Sequence, residues 1–339
     1  MSGERFKTAI CSEPGCGAPC NPPKNPGAKP YCIKCSYKHR REVKSFIAAE
    51  KIDPGAAFVD SILSIRPQPT VKKPDAIKSH NESVVIAIGD LHFGQRNQNY
   101  NSVIAAQRLD QFADNVTHLV ARHVSKSVAI DEIVISLGGD IVDGDAIYDG
   151  QSFDVDGPAF GQVRGAVEHL WALAQSVKGA MPAVELVRFE CVPGNHGLVK
   201  SRRGGSPTNN YDNFVYHGLD LLAATDDRII VNYSTGEFHN FAVKGHKFHA
   251  RHYGPKGVWT PAQIRKVQAW RLIHHADVLM FHHWHQSDWA NCFGPVVWNG
   301  CMCGSTAHSE NLGYESSLSQ WLFGVSDKRI TYRYEVDFK

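Results

Sequence analysis

The sequence predicts an α/β domain in which two stacked β-sheets are flanked by helices, preceded by a small N-terminal zinc-binding module. Three observations support this prediction. Apolar runs of strand length alternate with amphipathic helical patterns between residues 83 and 223, and short strand patterns dominate after residue 227. Five of the nine cysteines lie within the first 35 residues.

Composition sets broad limits on the function. The chain has 339 residues, 42% of them hydrophobic, which favours one large domain plus a small one. Its net charge of only +2 implies no particular partner. Its apolar runs are far shorter than the ~18 residues of a membrane span. The stretch 1–7 lacks the apolar core of a signal peptide. We therefore expect a cytoplasmic protein without membrane contacts, and the oligomeric state is left open.

The early cysteines indicate a metal site. In a reducing compartment such a cluster is typical of metal ligation rather than disulfides, which remain the alternative together with free thiols. The loop 21–30 is rich in Pro, Gly, Asn and Lys, which excludes a helix or a central strand. A bound Zn²⁺ contributes about 10–16 kcal/mol of folding free energy in peptides of this size.

The cysteine spacing resembles that of small zinc-ribbon or treble-clef-like knuckles. That resemblance implies one structural Zn²⁺ with four ligands, which are Cys11, Cys16, Cys32 and Cys35. Cys20 could replace Cys16.

A basic helix is predicted over residues 36–47. Residues 1–50 contain nine Lys or Arg and four Glu, a net charge of +5, which suits a nucleic-acid backbone, with DNA favoured. A solvated face or a protein-docking module fits equally well. Residues 51–82 are rich in Pro, Lys and Ser and predict a linker with a short helix. The predicted domains are therefore 1–50, 51–82 and 83–339.

The elements of the large domain follow from periodicity. Strands are predicted at 84–88, 133–137 and 185–192, and helices at 103–124, 162–177 and 211–223. Later strands are predicted near 229–233, 238–243, 247–252, 276–281, 296–299, 319–325 and 330–336, with a helix near 261–275.

Four of these strands end in polar clusters. They are D-x-H (Asp90, His92), G-D-x-x-D (Asp140, Asp143), G-N-H (Asn195, His196) and H-x-H (His283, His285). Each motif alone is common, and a buried histidine usually has a structural role. Four in series, each after an apolar run, predict a site at the carboxyl edge of the sheets.

The ordered motifs resemble those of the calcineurin-like metallophosphoesterase superfamily over residues 83–290. The superfamily includes phosphoprotein phosphatases, cyclic-nucleotide phosphodiesterases and a double-strand-break repair nuclease. The segment Asn299-Gly300-x-Met302…Ser319-Gln320 is similar, more loosely, to the phage-borne branch. The resemblance implies that Asp90, His92 and His285 hold one metal ion. It also implies that Asn195, His283 and one further histidine hold a second, and that Asp140 bridges the two.

The further histidine is ambiguous in sequence. The family residue usually ends a strand just before a glycine, which favours His252, with His249 as the alternative. His246 falls in a predicted hairpin turn and is expected to face solvent.

Two adjacent divalent ions need a bridging carboxylate. The nitrogen and oxygen donors favour Mn²⁺, with Fe or Zn²⁺ as alternatives, over Mg²⁺. The resemblance implies phosphoester hydrolysis by a hydroxide that both metals activate, with His196 as general acid. Asp143 is expected to orient His196, or else to be an ordinary loop or cap residue.

Three positions depart from the family pattern. Gly144 stands where phosphoprotein phosphatases carry Arg, Gly197 replaces an acidic residue, and His282 replaces a glycine. We expect His282 to lie behind the ligands or to face substrate. The loss of Arg favours diesters over monoesters, and three cations just after the general acid could bind flanking phosphates, or else belong to a solvated loop: Lys200, Arg202 and Arg203.

The leading hypothesis is therefore a nuclease or phosphodiesterase. The alternatives are a phosphatase acting on protein or a small molecule, and a nucleic-acid-binding adaptor with an inactive catalytic fold. Two other groups of residues are assigned to structure. Cys301 and Cys303 have no partner pair in sequence, and packing explains Trp259, Trp284 and Trp289, although stacking on bases is possible.

Overall fold

The computed structural model describes residues 9–10, 16–20, 54–65, 81–121, 128–145, 147, 150–199, 208–305 and 315–338. The chain divides into two compact units, Met1–Ala57 and Phe58–Lys339.

In the first unit, strands β1 (Ala9–Ile10) and β2 (Pro19–Cys20) pair antiparallel, with Ala9 opposite Cys20. Cys16 lies in the connection between them and is half-buried. Cys11, Cys32, Cys35 and the predicted basic helix lie outside the described residues. The zinc knuckle therefore stays a prediction.

The segment predicted to be a linker contains helix α1 (Pro54–Leu63). Its proline stands at the first turn, where the missing N–H has no helical partner to lose. Ile62 is fully buried in the core of the second unit.

The larger sheet of the second unit has six strands in the order β13-β12-β3-β4-β5-β6. Four consecutive strands of this sheet, ending at the edge strand β6, are parallel: β3 (Asn81–Ile88), β4 (Ala129–Leu137), β5 (Leu186–Cys191) and β6 (Ile229–Tyr233). β12 (Ser319–Val325) runs antiparallel to β3, and β13 (Ile330–Asp337) runs antiparallel to β12.

The second sheet has five strands in the order β10-β11-β9-β8-β7. They are β7 (Phe238–Val243), β8 (His246–Arg251), β9 (Val278–Phe281), β10 (Asp288–Asn291) and β11 (Pro295–Trp298). β8, β9 and β11 are parallel neighbours, while β7 and β10 are antiparallel edges.

The longer helices are α2 (Ser102–Leu119), α3 (Ala159–Ala180), α4 (Tyr211–Ala223) and α5 (Pro261–His274). Side chains of Asn101, Asn210 and Thr260 cap α2, α4 and α5 by accepting backbone N–H groups of the first turn. Thr260 also forms a reciprocal capping box with Gln263. No helix in the described part of the chain is long and apolar enough to cross a bilayer.

The alternation of side chains along β3 divides the interior into layers. Val84, Ile86 and Ile88 face a core shared with α2, α3 and α4, whereas Val85 and Ala87 face the second sheet. A two-sided apolar strand is the expected signature of a sheet that is covered on both faces.

The second sheet alternates in the same way. Along β9, Val278 and Met280 point to the first sheet, while Leu279 and Phe281 pack with Val267 of α5. The predicted sandwich of two sheets flanked by helices is therefore confirmed.

The strand register aligns the ends of the strands that precede the polar clusters. Ile88 lies opposite Leu137, and Leu137 lies opposite Cys191. In the second sheet Arg251 lies opposite Phe281. The segments that follow these residues therefore lie side by side at the same edge of each sheet. The polar clusters belong to these segments.

Two local expectations differ from the structure. β10 was not foreseen, because its sequence is short and polar; it pairs with β11 across a turn in which Phe293 and Gly294 have φ of 56° and 128°. The expectation that His246 faces solvent is wrong. The hairpin turn is Lys244-Gly245, with φ of 48° and 84°, and the half-buried His246 lies 3.0 Å from the Ser326 carbonyl.

Candidate metal centre

The polar clusters of the two sheets meet at one place. The six-stranded sheet supplies Asp90, His92, Asp140, Asn195 and His196, and the five-stranded sheet supplies His252, His283 and His285. Asp90, His92, Asp140 and His252 are at most 2% exposed, and the others are half-buried. The structure therefore brings together all of the catalytic-domain ligands that the resemblance implied.

The backbone of this region is strained. Eight non-glycine residues of the described chain have positive φ, and five of them are candidate ligands: Asp90 (49°), His92 (48°), Asp140 (50°), His283 (75°) and His285 (54°). Each such residue costs about 1–3 kcal/mol, and such residues tend to cluster at functional sites. Backbone hydrogen bonds hold the loops in place: Asp90 N–H donates to Gly139 at 3.0 Å, and His92 N–H donates to Asp140 at 2.9 Å.

Asp140 occupies the centre of the cluster. Its Oδ2 lies 3.0 Å from His252 Nε2 and 3.9 Å from His92 Nε2. Its Oδ1 accepts the His196 backbone N–H at 2.7 Å. The carboxylate therefore faces a group of donors on either side and is fixed by a main-chain hydrogen bond.

Each group of donors contains facing imidazole nitrogens. On one side His92 Nε2 lies 3.2 Å from His285 Nε2, which lies 3.5 Å from Asp90 Oδ1. On the other side His252 Nε2 lies 3.3 Å from His283 Nδ1 and 3.1 Å from Asn195 Oδ1.

This donor set fits two divalent cations. Facing imidazole nitrogens can share only one proton, yet carboxylate and amide oxygens also point into the same spaces. A divalent ion on each side would accept all of these lone pairs, and mixed nitrogen and oxygen ligation is typical of Mn, Fe and Zn centres. Asp140 would contribute a carboxylate oxygen to either site.

His249, the alternative ligand, points elsewhere. Its Nδ1 lies 2.7 Å from Asn240 Oδ1, and its ring stacks on His274 with centroids 4.0 Å apart. His252 is instead held with Nδ1 2.8 Å from the Gly138 carbonyl, so that Nε2 faces Asp140. Of the two, only His252 has a ring nitrogen directed at the cluster.

Asp143 links two histidines. Its Oδ1 lies 3.0 Å from both His92 Nδ1 and His196 Nδ1. Gln151 Nε2 donates to Asp143 Oδ2 at 3.1 Å. Asp143 is therefore placed to orient a candidate ligand and the candidate acid together.

The carboxylates of the cluster are stabilised in their charged form. Burial raises the pKa of Asp90, but the neighbouring histidines, led by His285, outweigh burial and lower that pKa to about 2. Burial opposes ionisation of Asp143 in the same way, and its hydrogen bonds with His196 and His92 hold its pKa well below the usual range. Burial lowers the pKa of His196, but Asp140 and Asp143 reverse the shift and raise it.

The departures from the family pattern have steric explanations. A Cβ on Gly144, whose φ is +73°, would lie 2.4 Å from the His196 carbonyl oxygen. A Cβ on Gly197 would lie 2.2 Å from Asn210 Oδ1. The loops approach so closely at these two positions that side chains are excluded.

His282 lies behind the cluster and does not face substrate. It is 1% exposed, and its Nδ1 lies 4.0 Å from Asp90 Oδ2. A Cβ on Gly89 or Gly138 would lie about 2 Å from its ring, at 2.1 and 1.9 Å respectively. The imidazole thus fills a slot that these two glycines leave open.

Asp212 is a supporting residue that sequence reasoning missed. Its Oδ1 accepts N–H groups of Ile141 and Val142 at 3.1 and 3.2 Å, and its Oδ2 accepts that of Gly194 at 2.8 Å. Burial and the nearby Asp140 raise the pKa of Asp212 to about 6, although the hydrogen bonds oppose the shift. Asp212 joins the loop of Asp140 to the loop of Asn195, and its place in the first turn of α4 gave no signal of this.

Two further contacts were not foreseen. Gln320 brackets Gly89, accepting its N–H at 3.0 Å and donating to its carbonyl at 3.2 Å, which fixes the residue before Asp90. Cys303 was assigned to structure, yet its Sγ lies 3.6 Å from His285 Nδ1. Cys303, His92 and His285 together form a third group of potential ligands.

The remaining sequence predictions concern the three cations after the candidate acid and the tryptophans. Lys200, Arg202 and Arg203 lie outside the described residues. Trp289 packs against Trp321 and Phe323, with ring centroids 5.4 and 5.2 Å apart.

No protein-family model matches the chain, and no curated protein matches it in sequence. The solved structures that are similar to this chain include the following three. Vps29 from Entamoeba histolytica complexed with Zn²⁺ is 13% identical with a TM-score of 0.36, covering 74% of this chain and 92% of that chain. A conserved uncharacterized protein from Streptococcus pneumoniae, described as a predicted phosphoesterase, is 10% identical with a TM-score of 0.29, covering 75% and 98%. A 5'-nucleotidase from Candida albicans is 12% identical with a TM-score of 0.31, covering 79% and 54%. Likenesses at these TM-scores leave the function to be inferred from the site of this chain.

Proposed function

We propose that this protein is a dimetal phosphoesterase of the calcineurin-like superfamily that hydrolyses phosphodiester bonds in nucleic acid. One observation carries the proposal: the Asp140 carboxylate lies between two groups of inward-facing donors, each with a carboxylate or amide oxygen and two imidazoles. A structural role would need neither the facing nitrogens nor five strained residues in one place.

The residues divide between two sites. Asp90, His92 and His285 would hold one divalent ion, Asn195, His252 and His283 the other, and Asp140 both. Mn²⁺ is the proposed metal, with Fe or Zn²⁺ as alternatives. Two such ions, when bound, supply a strong nucleophile from water at neutral pH and positive charge for the phosphoryl oxygens.

His196 is proposed to donate a proton to the leaving oxygen. Its Nδ1 is engaged by Asp143, so the ring is held with Nε2 available to face substrate. Its backbone N–H is bound to Asp140, which keeps the acid at a fixed place beside the metal cluster. General acid catalysis of this kind contributes about 10²- to 10⁴-fold to the rate.

Two features favour a diester in nucleic acid over a phosphate monoester. Gly144, where the His196 carbonyl leaves no space for a side chain, stands where phosphoprotein phosphatases carry an arginine, so this position supplies no cation for the second negative charge of a monoester. The sequence also places Lys200, Arg202 and Arg203 just after the acid and a net charge of +5 around the proposed zinc knuckle. Positive charge in both places suits a phosphate backbone.

The test compares two chromogenic substrates with the Mn²⁺-loaded protein. We expect bis-p-nitrophenyl phosphate to be hydrolysed faster than p-nitrophenyl phosphate, and a chelator to abolish both activities. A marked preference for the monoester would replace the nuclease proposal with a phosphatase. If both activities persist after chelation, the metal mechanism is refuted.

A further inference from the structure

A cavity of about 340 Å³ adjoins the metal centre. That volume lies within the range of small-molecule sites, roughly 300–1,000 Å³. Its walls include three tryptophans, Trp259, Trp284 and Trp298, together with the polar residues Lys256 and Ser287. None of these residues has a part in the metal centre described above.

The cavity is physically continuous with the ligand loop. Trp284 stands between His283 and His285 in sequence, and its ring lies 5.1 Å from the His283 ring. Ser317, another lining residue, donates its N–H to the His285 carbonyl at 2.7 Å. A substituent of a phosphate bound at the cluster could therefore enter the cavity directly.

Two of the indoles are fixed in place. Trp284 Nε1 donates to the Gly254 carbonyl at 2.9 Å, and Trp298 Nε1 donates to the Pro255 carbonyl at 2.7 Å. Both acceptors belong to the segment that follows His252, so the same loop positions a candidate ligand and the aromatic walls. Rigid aromatic surfaces bind planar groups at little entropic cost.

The third indole is open to solvent. Trp259 is 74% exposed, which is unusual for the largest apolar side chain. A Cβ on Gly257, whose φ is +81°, would lie 2.2 Å from Trp259 Nε1. The glycine therefore leaves the space in which this indole lies, and Trp259 presents a face beside the cavity without being packed into the core.

The polar lining is also incompletely satisfied. The Oγ of Ser287 is buried and has no hydrogen-bond partner among the described residues. Such a hydroxyl costs free energy unless a ligand or water pairs with it. Lys256 Nζ lies 5.8 Å from the centroid of Trp284, so a cation stands at the rim of the aromatic wall.

We propose that this cavity binds the base of the nucleotide next to the scissile phosphate, an inference that rests on the proposed function. Indole faces stack on any base, whatever the sequence, and the buried hydroxyl of Ser287 bonds to a base edge. The site thus takes a single-stranded or frayed nucleotide, whose base is free to leave its stack.

The test compares two diesters that differ only in the base. They are thymidine 5′-p-nitrophenyl phosphate and the corresponding abasic deoxyribose ester, both releasing p-nitrophenolate. We expect the intact protein to have a higher kcat/KM for the thymidine ester. Trp259→Ala should lose about 5- to 150-fold of that preference through KM, the size of one base-stacking contact. Its rate on the abasic ester should not change.

Two variants serve as controls. Trp259→Phe keeps an aromatic face and should retain most of the preference. Phe293→Ala removes a ring that is equally exposed, at 75%, on the turn between β10 and β11, and should change neither rate. An unchanged preference in Trp259→Ala overturns the base subsite, as does hydrolysis of both esters by the intact protein with the same kcat/KM.

Direct binding separates this proposal from the proposed function. Equilibrium dialysis with thymidine 5′-monophosphate measures occupancy without turnover. If neither ester is hydrolysed but binding weakens in Trp259→Ala, the hydrolytic function fails and the subsite stands. If hydrolysis occurs and binding is the same in both proteins, the subsite fails and the hydrolytic function stands.

Discussion

The two sheets contribute different chemistry to the same centre. The six-stranded sheet provides all of the oxygen donors, Asp90, Asp140 and Asn195, whereas the five-stranded sheet provides only histidines, His252, His283 and His285. His92 is the exception, an imidazole from the oxygen-bearing side. Because each proposed metal site draws on both sheets, the candidate centre is complete only where the sheets pack against each other.

The difference follows from strand order. In the six-stranded sheet β3, β4 and β5 are parallel neighbours, so three successive strand ends lie in a row. In the five-stranded sheet β8 and β9 are also parallel neighbours, so two strand ends lie side by side. The oxygen side is further tied together by Asp212 and Gln320, while the histidine side is held mainly by single contacts such as His252 to Gly138. We therefore expect the loss of a donor on the oxygen side to be more damaging than the loss of a donor on the histidine side.

The largest effect is expected for Asp140→Asn, because this carboxylate faces both groups of donors. Losing its charge should lower the rate of diester hydrolysis by roughly 10⁴-fold, since both ions are displaced or mispositioned. Metal analysis of the purified protein should show at least one ion per chain fewer than in the intact protein. Asp110→Asn, on the exposed face of α2, is the matched control and should retain both ions and full activity. Full occupancy in Asp140→Asn would remove it from the bridging position.

On the oxygen side, His196→Ala should lower the rate of hydrolysis without changing the metal content. We expect a loss of about 10³-fold for diesters with poor leaving groups and a smaller loss for p-nitrophenyl esters, which need little protonation. Metal content should stay at that of the intact protein. Full hydrolysis of both kinds of substrate would contradict the role of His196 as acid.

On the histidine side, His252→Ala and His249→Ala form a matched pair three residues apart. His252→Ala should lose one ion and about 100-fold in rate, because one imidazole donor to a single site is removed. His249→Ala should keep both ions and most of its activity, although its contact with Asn240 is lost. The reverse result would make His249 the ligand.

The smallest effect is expected for Asp212→Ala, which removes the acceptor of three N–H groups. Replacing a supporting residue of this kind lowers metal affinity by about 10- to 100-fold. Each N–H group left without an acceptor also lowers the free energy of unfolding by about 1–3 kcal/mol. Metal titration and thermal unfolding measure both quantities. Asp220→Ala, exposed on the same helix, should change neither. Equal metal affinity in the two variants would show that the loops need no such support.

Much of the fold could be predicted from sequence because its signals are local. The predicted helix over residues 211–223 has the bounds of α4, and β12 matches the predicted 319–325. Short polar strands carry no such signal. β10 forms only because β11 offers it a partner, so periodicity could not reveal it.

The sequence by itself predicted which residues meet at the candidate site. Apolar runs that end in D-x-H, G-D-x-x-D, G-N-H and H-x-H predict a site at strand ends, since each run and its cluster are contiguous in the chain. Only the tertiary structure shows that His252 and not His249 faces the cluster: His249 lies within β8 with its ring beside Asn240, whereas His252 follows the strand with its ring beside Asp140. It also revealed Asp212, Cys303 and the tryptophan-lined cavity, whose residues meet only when segments far apart in sequence pack together.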